Sequence, residues 1–202
     1  TDALNNAFNG CSALTTLDFS NLTTISGNSA LYSAFLDCTS LTTLDFSNLT
    51  TISGTTVMKY AFAFCSSLNS VSFDKLATIG SDTSSANNGH FSLCFQSCTN
   101  LTRLSFPELT TIYCTGSGSA GNGTFNFCDT ITRMDFPKLS KITYGTGASS
   151  TNQNACKYIF SNCSALTEIH FGSANQTAIE ATAGYSTLWG RGAGNATVYF
   201  DL

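Results

Sequence analysis

A stretch of fourteen residues, LTTLDFSNLTTISG, occurs twice in this 202-residue chain without a single change. The first copy runs from Leu14 to Gly27 and the second from Leu41 to Gly54. Repetition at a fixed period of about 20–50 residues is typical of stacked architectures, in which neighbouring copies bury one another's apolar faces. The repeat therefore limits the chain to folds that are built by stacking one unit, here called a coil.

Cysteine marks the same place in six copies of the unit: Cys11, Cys38, Cys65, Cys98, Cys128 and Cys163. Phe stands three residues before and eight residues after each of them, with an aliphatic or Met side chain three and six residues after. This register starts the coils near residues 3, 30, 57, 90, 120 and 155. A degenerate seventh coil over about 181–202 fits if Trp189 and Gly192 take the Phe and Cys positions, as expected of a capping repeat.

Each coil should contain three sides. The stretch ALNNAFNGC has its apolar residues at i, i+3, i+4 and i+7, which predicts a short helix or helical turn. The stretch TTLDF alternates, which predicts a strand on a parallel sheet with Leu17 and Phe19 inward. The stretch NLTTI predicts a second extended edge with Leu22 and Ile25 inward. One coil cannot bury such a face alone, so the fold class is an α/β repeat solenoid of one domain, 1–202.

The segment AFxxCxxLTTLDFSNLTTI resembles the BspA-like leucine-rich repeats of bacterial cell-surface proteins. The resemblance is carried by Ala34, Phe35, Cys38, Leu41, Leu44, Phe46, Leu49 and Ile52. It implies a right-handed leucine-rich-repeat solenoid of about six to seven coils, export to the cell surface or secretion, and adhesion or ligand recognition. It implies no catalytic site.

Charge and length narrow the partners. Charged residues are 10% of the chain and the net charge is -4, so no basic surface for nucleic acid is expected. No apolar run is long enough to insert into a membrane. Because the chain starts at Thr1 and its apolar stripe starts at Leu4, we expect a fragment of a longer exported precursor. We also expect an uncapped first coil that associates end to end with another molecule.

The nine cysteines favour buried free thiols. Zinc sites need paired cysteines or nearby histidines, which the sequence does not provide, so we expect no metal and no cofactor. A disulfide between adjacent coils stays possible on distance alone. Cys94 and Cys156 should also lie in the core, whereas Cys114, near an insert, should be the most reactive thiol. The stretch GSGSAG at 116–121 matches a phosphate-loop pattern, but a flexible loop is favoured.

The outward strand positions change along the chain, and the change suggests a site. Early coils carry Thr and Asp, whereas later coils carry Arg103, Arg133, Glu168 and His170. Together with Asp135 on a neighbouring strand, these are the candidate ligand-binding residues. We expect a mixed-charge patch on one sheet face. The alternative is a solvated face whose ion pairs contribute little. Asp18 and Asp45 should lie side by side, where they could share calcium or stay solvated with one pKa raised.

Two classes of function remain. A non-enzymatic extracellular binding module would recognise a protein or glycan on an extended solenoid surface. A structural spacer, or an accessory domain of a larger surface enzyme, would need no such patch. An independent enzyme is disfavoured, since no motif brings a nucleophile, a base and an orienting group together.

Overall fold

The computed structural model describes residues 3–54, 56–81, 91–113, 123–143, 159–160, 162–181 and 196–202. Several predictions made on the sequence fall outside these residues: those for Cys114, Cys156, Trp189, Gly192 and the GSGSAG stretch. Within the described residues the strands are short. They are β1 Thr16–Asp18, β2 Thr24–Ser26, β3 Thr43–Asp45, β4 Thr51–Ser53, β5 Ser70–Ser72, β6 Thr78–Ile79, β7 Arg103–Ser105, β8 Thr111–Tyr113, β9 Arg133–Phe136, β10 Lys141–Thr143, β11 Glu168–Phe171 and β12 Thr197–Phe200.

The strands line two walls of the stack. The first wall pairs β1–β3–β5–β7 and, beyond them, β9–β11–β12, while the second wall pairs β2–β4–β6–β8–β10. All pairings are parallel and join equivalent positions, such as Leu17 with Leu44 and Ile25 with Ile52. Leu44 and Ile52 are buried, whereas the residues on either side of them in the strand are exposed or half-buried. These paired positions therefore face the core. The predicted repeat solenoid of parallel strands is therefore confirmed.

Phenylalanine fills the space between the walls in two stacked columns. The first column is Phe8, Phe35, Phe62, Phe95, Phe125 and Phe160, with ring centroids 5.0–5.4 Å apart. The second is Phe19, Phe46, Phe73, Phe106, Phe136, Phe171 and Phe200, with centroids 5.0–6.0 Å apart. Rings of the two columns meet edge to face, as between Phe62 and Phe73 at 6.4 Å. Offset and edge-to-face contacts of this kind stabilise beyond simple burial.

The side that carries the cysteines forms turns, so of the predicted short helix or helical turn the helix is not confirmed. In the described part of the chain the α-helix is Gln176–Glu180 (α1), preceded by the 3-10 helix Ser173–Asn175. The turn side instead alternates residues of negative and positive φ, including Leu31 at 59° and Ser33 at 49°. Some of its N–H groups donate within the coil and others donate to the next coil. The Ala34 N–H donates to the Leu31 carbonyl of the same coil, whereas the Phe35 N–H donates to the Ala61 carbonyl of the next coil.

The stripe that suggested a helix is inward all the same. Leu31, Ala34, Phe35 and Cys38 are fully buried. Turns closed by bonds from residue i+3 to residue i also bring side chains three and four positions apart to one side, so the pattern cannot tell them from a helix. The hydrogen bonds between coils distinguish the turns from a helix, because in an α-helix the same N–H groups would donate to carbonyls of their own segment.

The last described strand continues the first wall. β12 pairs with β11, which places Val198 beside Ile169 and Phe200 beside Phe171. These are the positions that the alignment with the first coil assigns to Val198 and Phe200. The loop after β11 is tight, because a Cβ on Gly172 would lie 2.1 Å from the Pro137 carbonyl oxygen.

Gly54 should not tolerate a side chain. Its φ is 137°, and a Cβ there would lie 1.8 Å from the Gly27 carbonyl oxygen of the preceding coil. We expect Gly54→Ala to lower the free energy of unfolding by at least about 1–3 kcal/mol from backbone strain, measured by urea denaturation. Gly10→Ala is the control for the close contact and should lose less: its φ is also positive, at 74°, so it shares the backbone strain, but its Cβ would meet nothing within 4 Å. Equal losses in both variants would contradict the close approach.

Candidate functional site

The first wall changes its outward side chains along the stack. One outward column reads Thr16, Thr43, Ser70, Arg103, Arg133, Glu168 and Thr197. The neighbouring column reads Asp18, Asp45, Ser72, Ser105, Asp135, His170 and Tyr199. Small serines thus stand between two groups of larger side chains, which leaves a depression in the face.

A break in the wall lies at the same place. β7 and β9 are neighbours, yet in the described chain they belong to separate hydrogen-bonded sheets. The Phe106–Phe136 stack beneath them is the widest in its column, at 6.0 Å. A groove of about 530 Å³ lies over β5, β7 and β9. Its lining includes Ser70, Ser72, Asp74, Ser105 and Thr102, together with Arg103, Arg133 and Asp135.

Four of the five predicted site residues form one network. The Arg133 guanidinium lies 2.7 Å from an Asp135 oxygen and 3.6 Å from a Glu168 oxygen. The hydrogen bond to Asp135 raises the pKa of Arg133 further above its ordinary value. Glu168 in turn lies 3.3 Å from Nε2 of His170. Since Arg133 and the carboxylates are nearly half exposed, these ion pairs add little stability. They do fix the wall of the groove.

His170 is buried, although its position on the strand is outward. Only 5% of its surface is exposed, because the Tyr199 ring stacks on it at 4.6 Å. Its Nδ1 lies 2.7 Å from Asp201 Oδ1, and its Nε2 faces Glu168. Both ring nitrogens of His170 therefore face carboxylate oxygens of neighbouring residues.

Sequence reasoning missed Tyr199 and Asp201. The signal for Tyr199 was available, because the alignment of Val198 and Phe200 places the residue between them on the outward column beside His170. Asp201 comes directly after β12, at a position where the repeat pattern favours no residue type. Both residues act on His170 and lie outside the groove lining.

Arg103 differs from the other predicted residues. It lines the groove from β7, on the far side of the break from Arg133. Among the described residues it has no ion-pair partner within 4 Å, whereas Arg133 has two. Arg103 is therefore the cation of this groove whose charge is not already balanced by a neighbouring carboxylate.

The stacked aspartates Asp18 and Asp45 do pair across β1 and β3. Each accepts a backbone N–H from two residues further on, Ser20 and Ser47, at 2.8 Å. The hydrogen bonds from Ser20 lower the pKa of Asp18, so the raised pKa considered for one of the pair is not found there. In the part of the chain described, no cluster of three or more His, Cys, Asp or Glu side chains could hold a metal ion.

The cysteines are free thiols in the described coils, and all but Cys11 are buried. Each buried register thiol donates to the carbonyl of the register Phe in the preceding coil, as Cys65 does to Phe35 at 3.0 Å. Burial raises the pKa of Cys38 to about 11 and that of Cys65 to about 12. Burial likewise raises the pKa of Cys94 and Cys98 well above the ordinary value.

Cys11 is exposed, contrary to the expectation that every register cysteine is buried. Cys11 lies in the first described coil, whereas each buried register thiol donates to the Phe carbonyl of the described coil before its own. We expect Cys11 to react with a maleimide within minutes in the folded Cys114→Ser/Cys156→Ser variant, while the buried thiols react only after denaturation. Mass spectrometry of the labelled peptides checks this. The column of buried register cysteines, each donating to the coil before it, is called the thiol ladder below. Fast labelling of Cys65 or Cys98 in the folded protein would contradict the burial of this ladder.

Comparison with known proteins agrees with this architecture. The model of the BspA-type leucine-rich repeat region matches the chain in six copies, over residues 4–90, 33–146 and 91–187. The chain therefore belongs to the BspA-type leucine-rich repeat family. No curated protein and no solved structure matches it.

The family carries coarse functional information. Its members are associated with bacterial surface or secreted proteins and are typically non-catalytic repeat domains, which indicates a surface protein-binding module. Among the residues described, no helix has the length and apolar character needed to cross a membrane.

Proposed function

We propose that this chain is a cell-surface adhesion module that recognises a protein or glycan of a host or neighbouring cell through the groove over β5, β7 and β9. The observation that carries the proposal is the coincidence of the groove with the break in the wall and with the change of the outward side chains. Stacking of the coils alone does not require the outward Thr and Asp residues to be replaced at this point of the wall.

The chemistry of the groove favours an anionic group on the ligand. Serine and threonine hydroxyls supply neutral hydrogen-bonding groups, and Arg103 supplies a guanidinium whose planar donors suit a carboxylate or a sulfate. Arg133 is already engaged with Asp135 and Glu168, so it orients the wall and Arg103 makes the contact. Asp74 lines the same groove and would repel anions placed close to it, which orients the ligand.

A binding screen with two matched variants tests this. The purified chain is presented to matrix proteins, mucins and acidic polysaccharides, beside Arg103→Ser and the control Lys138→Ser. Lys138 is an exposed cation paired with Glu108 at 2.6 Å outside the groove lining. We expect Arg103→Ser to weaken binding about tenfold or more, since a charged hydrogen bond contributes about 1.5–3 kcal/mol. Binding that is equal in both variants would move the ligand away from the groove.

A spacer function is the second candidate. The letter-for-letter identity of 14–27 and 41–54 favours it, because these coils differ in nothing that a ligand could read. A chain that folds, yet binds none of these ligands in the screen, would favour the spacer over the adhesion module.

A further inference from the structure

The residue before each register cysteine has a left-handed backbone. The six positions, with φ between 56° and 74°, are Gly10, Asp37, Phe64, Ser97, Phe127 and Asn162. Glycine accepts this conformation freely, and Asn and Asp tolerate it because their short side chains bond locally. Phenylalanine has neither property, so two coils place a bulky side chain where the backbone disfavours it.

Core packing does not explain these two phenylalanines. Other bulky residues with positive φ, such as Leu31 and Met58, are fully buried, so their packing offsets the strain. Phe64 and Phe127 are 41% and 45% exposed. Neither ring stacks on another aromatic ring in the described part of the chain. Their conformation is strained and their apolar surface faces water, which points to a role outside folding.

The two rings lie in one column, two coils apart. The Phe64 N–H donates to the backbone carbonyl of Gln96 at 2.7 Å, and the Ser97 N–H donates to the backbone carbonyl of Asn126 at 2.8 Å. These bonds align Phe64, Ser97 and Phe127 on successive coils. Two coils at a strand-like spacing of about 4.8 Å separate the aromatic positions by roughly 10 Å. The small Ser97 leaves a gap between them.

The surroundings are rich in hydrogen-bonding groups, and the charged side chain of this column is the Asp37 carboxylate, one coil before Phe64. No lysine or arginine occurs in 61–69, 91–102 or 123–132. The next column contains Ser66, Asp129 and Ser164, and Asp129 accepts a hydrogen bond from Ser164 at 3.2 Å. The Asn100 side-chain amide donates to the Ser66 carbonyl at 2.8 Å. With no cation nearby, this surface does not suit an anionic polymer.

We propose that Phe64 and Phe127 form an aromatic platform for an extended, neutral polysaccharide. Aromatic rings stack on the C–H face of a sugar, and a two-coil spacing suits alternate sugar units of a β-linked chain. The unit between them passes over Ser97, within reach of the neighbouring hydroxyl and amide groups. This platform is on the turn side, away from the groove on the first wall, and rests on separate observations.

The test uses substitutions that the repeat itself supplies. In Phe64→Asn/Phe127→Asn, both positions receive the residue that the chain carries at Asn162. Binding of neutral β-linked hexasaccharides, such as cellohexaose and xylohexaose, is measured by calorimetry, and binding to insoluble cellulose by sedimentation. We expect at least one probe to bind the natural chain and to lose at least tenfold in affinity in the double variant. The melting temperature of the variant should stay the same or rise, because the backbone strain is relieved.

Lys138→Ser, which changes an exposed residue outside both the groove and the platform, is the matched control and should keep full binding to the neutral probes. The platform and the groove are tested separately, since each has its own variant. The proposal is overturned if no neutral probe binds, or if binding survives in the double variant. A lower melting temperature in Phe64→Asn/Phe127→Asn with unchanged binding would make the rings structural. A protein ligand lost by the same variant, without any glycan binding, would replace the glycan assignment by a protein contact.

Discussion

Replacing Phe62 by alanine should lower the free energy of unfolding by about 3–5 kcal/mol, the range for a large aromatic side chain removed from a core. Phe62 is fully buried. Its ring stacks between Phe35 at 5.4 Å and Phe95 at 5.0 Å and meets Phe46 and Phe73 edge to face. The substitution therefore removes contacts in both columns and interrupts the stack near its middle. Urea denaturation followed by far-ultraviolet circular dichroism measures the loss.

Phe8→Ala is the matched control. Phe8 occupies the same repeat position at the end of the column and is only partly buried, stacking on Phe35 alone within its column. We expect its loss to be less than half that of Phe62→Ala. Equal losses would mean that the column does not act as a continuous stack.

The protein should lose stability as the pH rises above about 9, the ordinary pKa of a thiol. The buried thiols have pKa values raised above the ordinary 9.0, to about 12 for Cys65. The unfolded chain then releases protons that the native chain retains, so stability is unaffected below pH 9 and falls as the pH rises above it. Cys65 alone should lose about 2 kcal/mol by pH 10.5. The pKa values of Cys38, Cys94 and Cys98 are raised by burial in the same direction, so these thiols add to the loss.

The measurement is the urea midpoint from pH 7.5 to pH 11 under a reducing agent. Cys65→Ser is the control, because the hydroxyl can still donate to the Phe35 carbonyl but does not ionise in this range. We expect the loss between pH 7.5 and pH 10.5 to be about 2 kcal/mol smaller in this variant. A pH dependence that is the same in both proteins would show that the buried thiol does not drive the transition.

The core could be predicted almost completely from the sequence, because each coil repeats the same spacing of apolar residues. Leu44 and Ile52 read as inward from strand alternation alone, and both are buried. The helix could not be judged this way. At the turn side, apolar spacing fits a helix and a chain of tight turns equally, and bonds to the next coil, such as Phe35 to Ala61, decide between them.

The candidate site was predicted only in part. Arg103 and Arg133 were found because they break the repeat, and Asp135 because it lies beside them; all three line one groove. The separation of β7 from β9 was not predictable, since both strands carry ordinary repeat residues on their inward side. Burial of His170 depends on Asp201 and Tyr199, which lie outside the recognised part of the pattern. Phe64 and Phe127 were overlooked, although a comparison of the residues before each cysteine would have singled them out.

The thiol ladder gives the stack a direction and makes its junctions alike. Every buried register cysteine donates towards the preceding coil, and the same kind of carbonyl receives it. A gene that gains or loses one whole unit therefore creates no new kind of contact. The number of coils can change in evolution as a quantity separate from the surfaces they display. Duplicating a unit such as that of Cys38 would carry the groove further from the first coil without altering its residues, so reach and recognition can be selected independently.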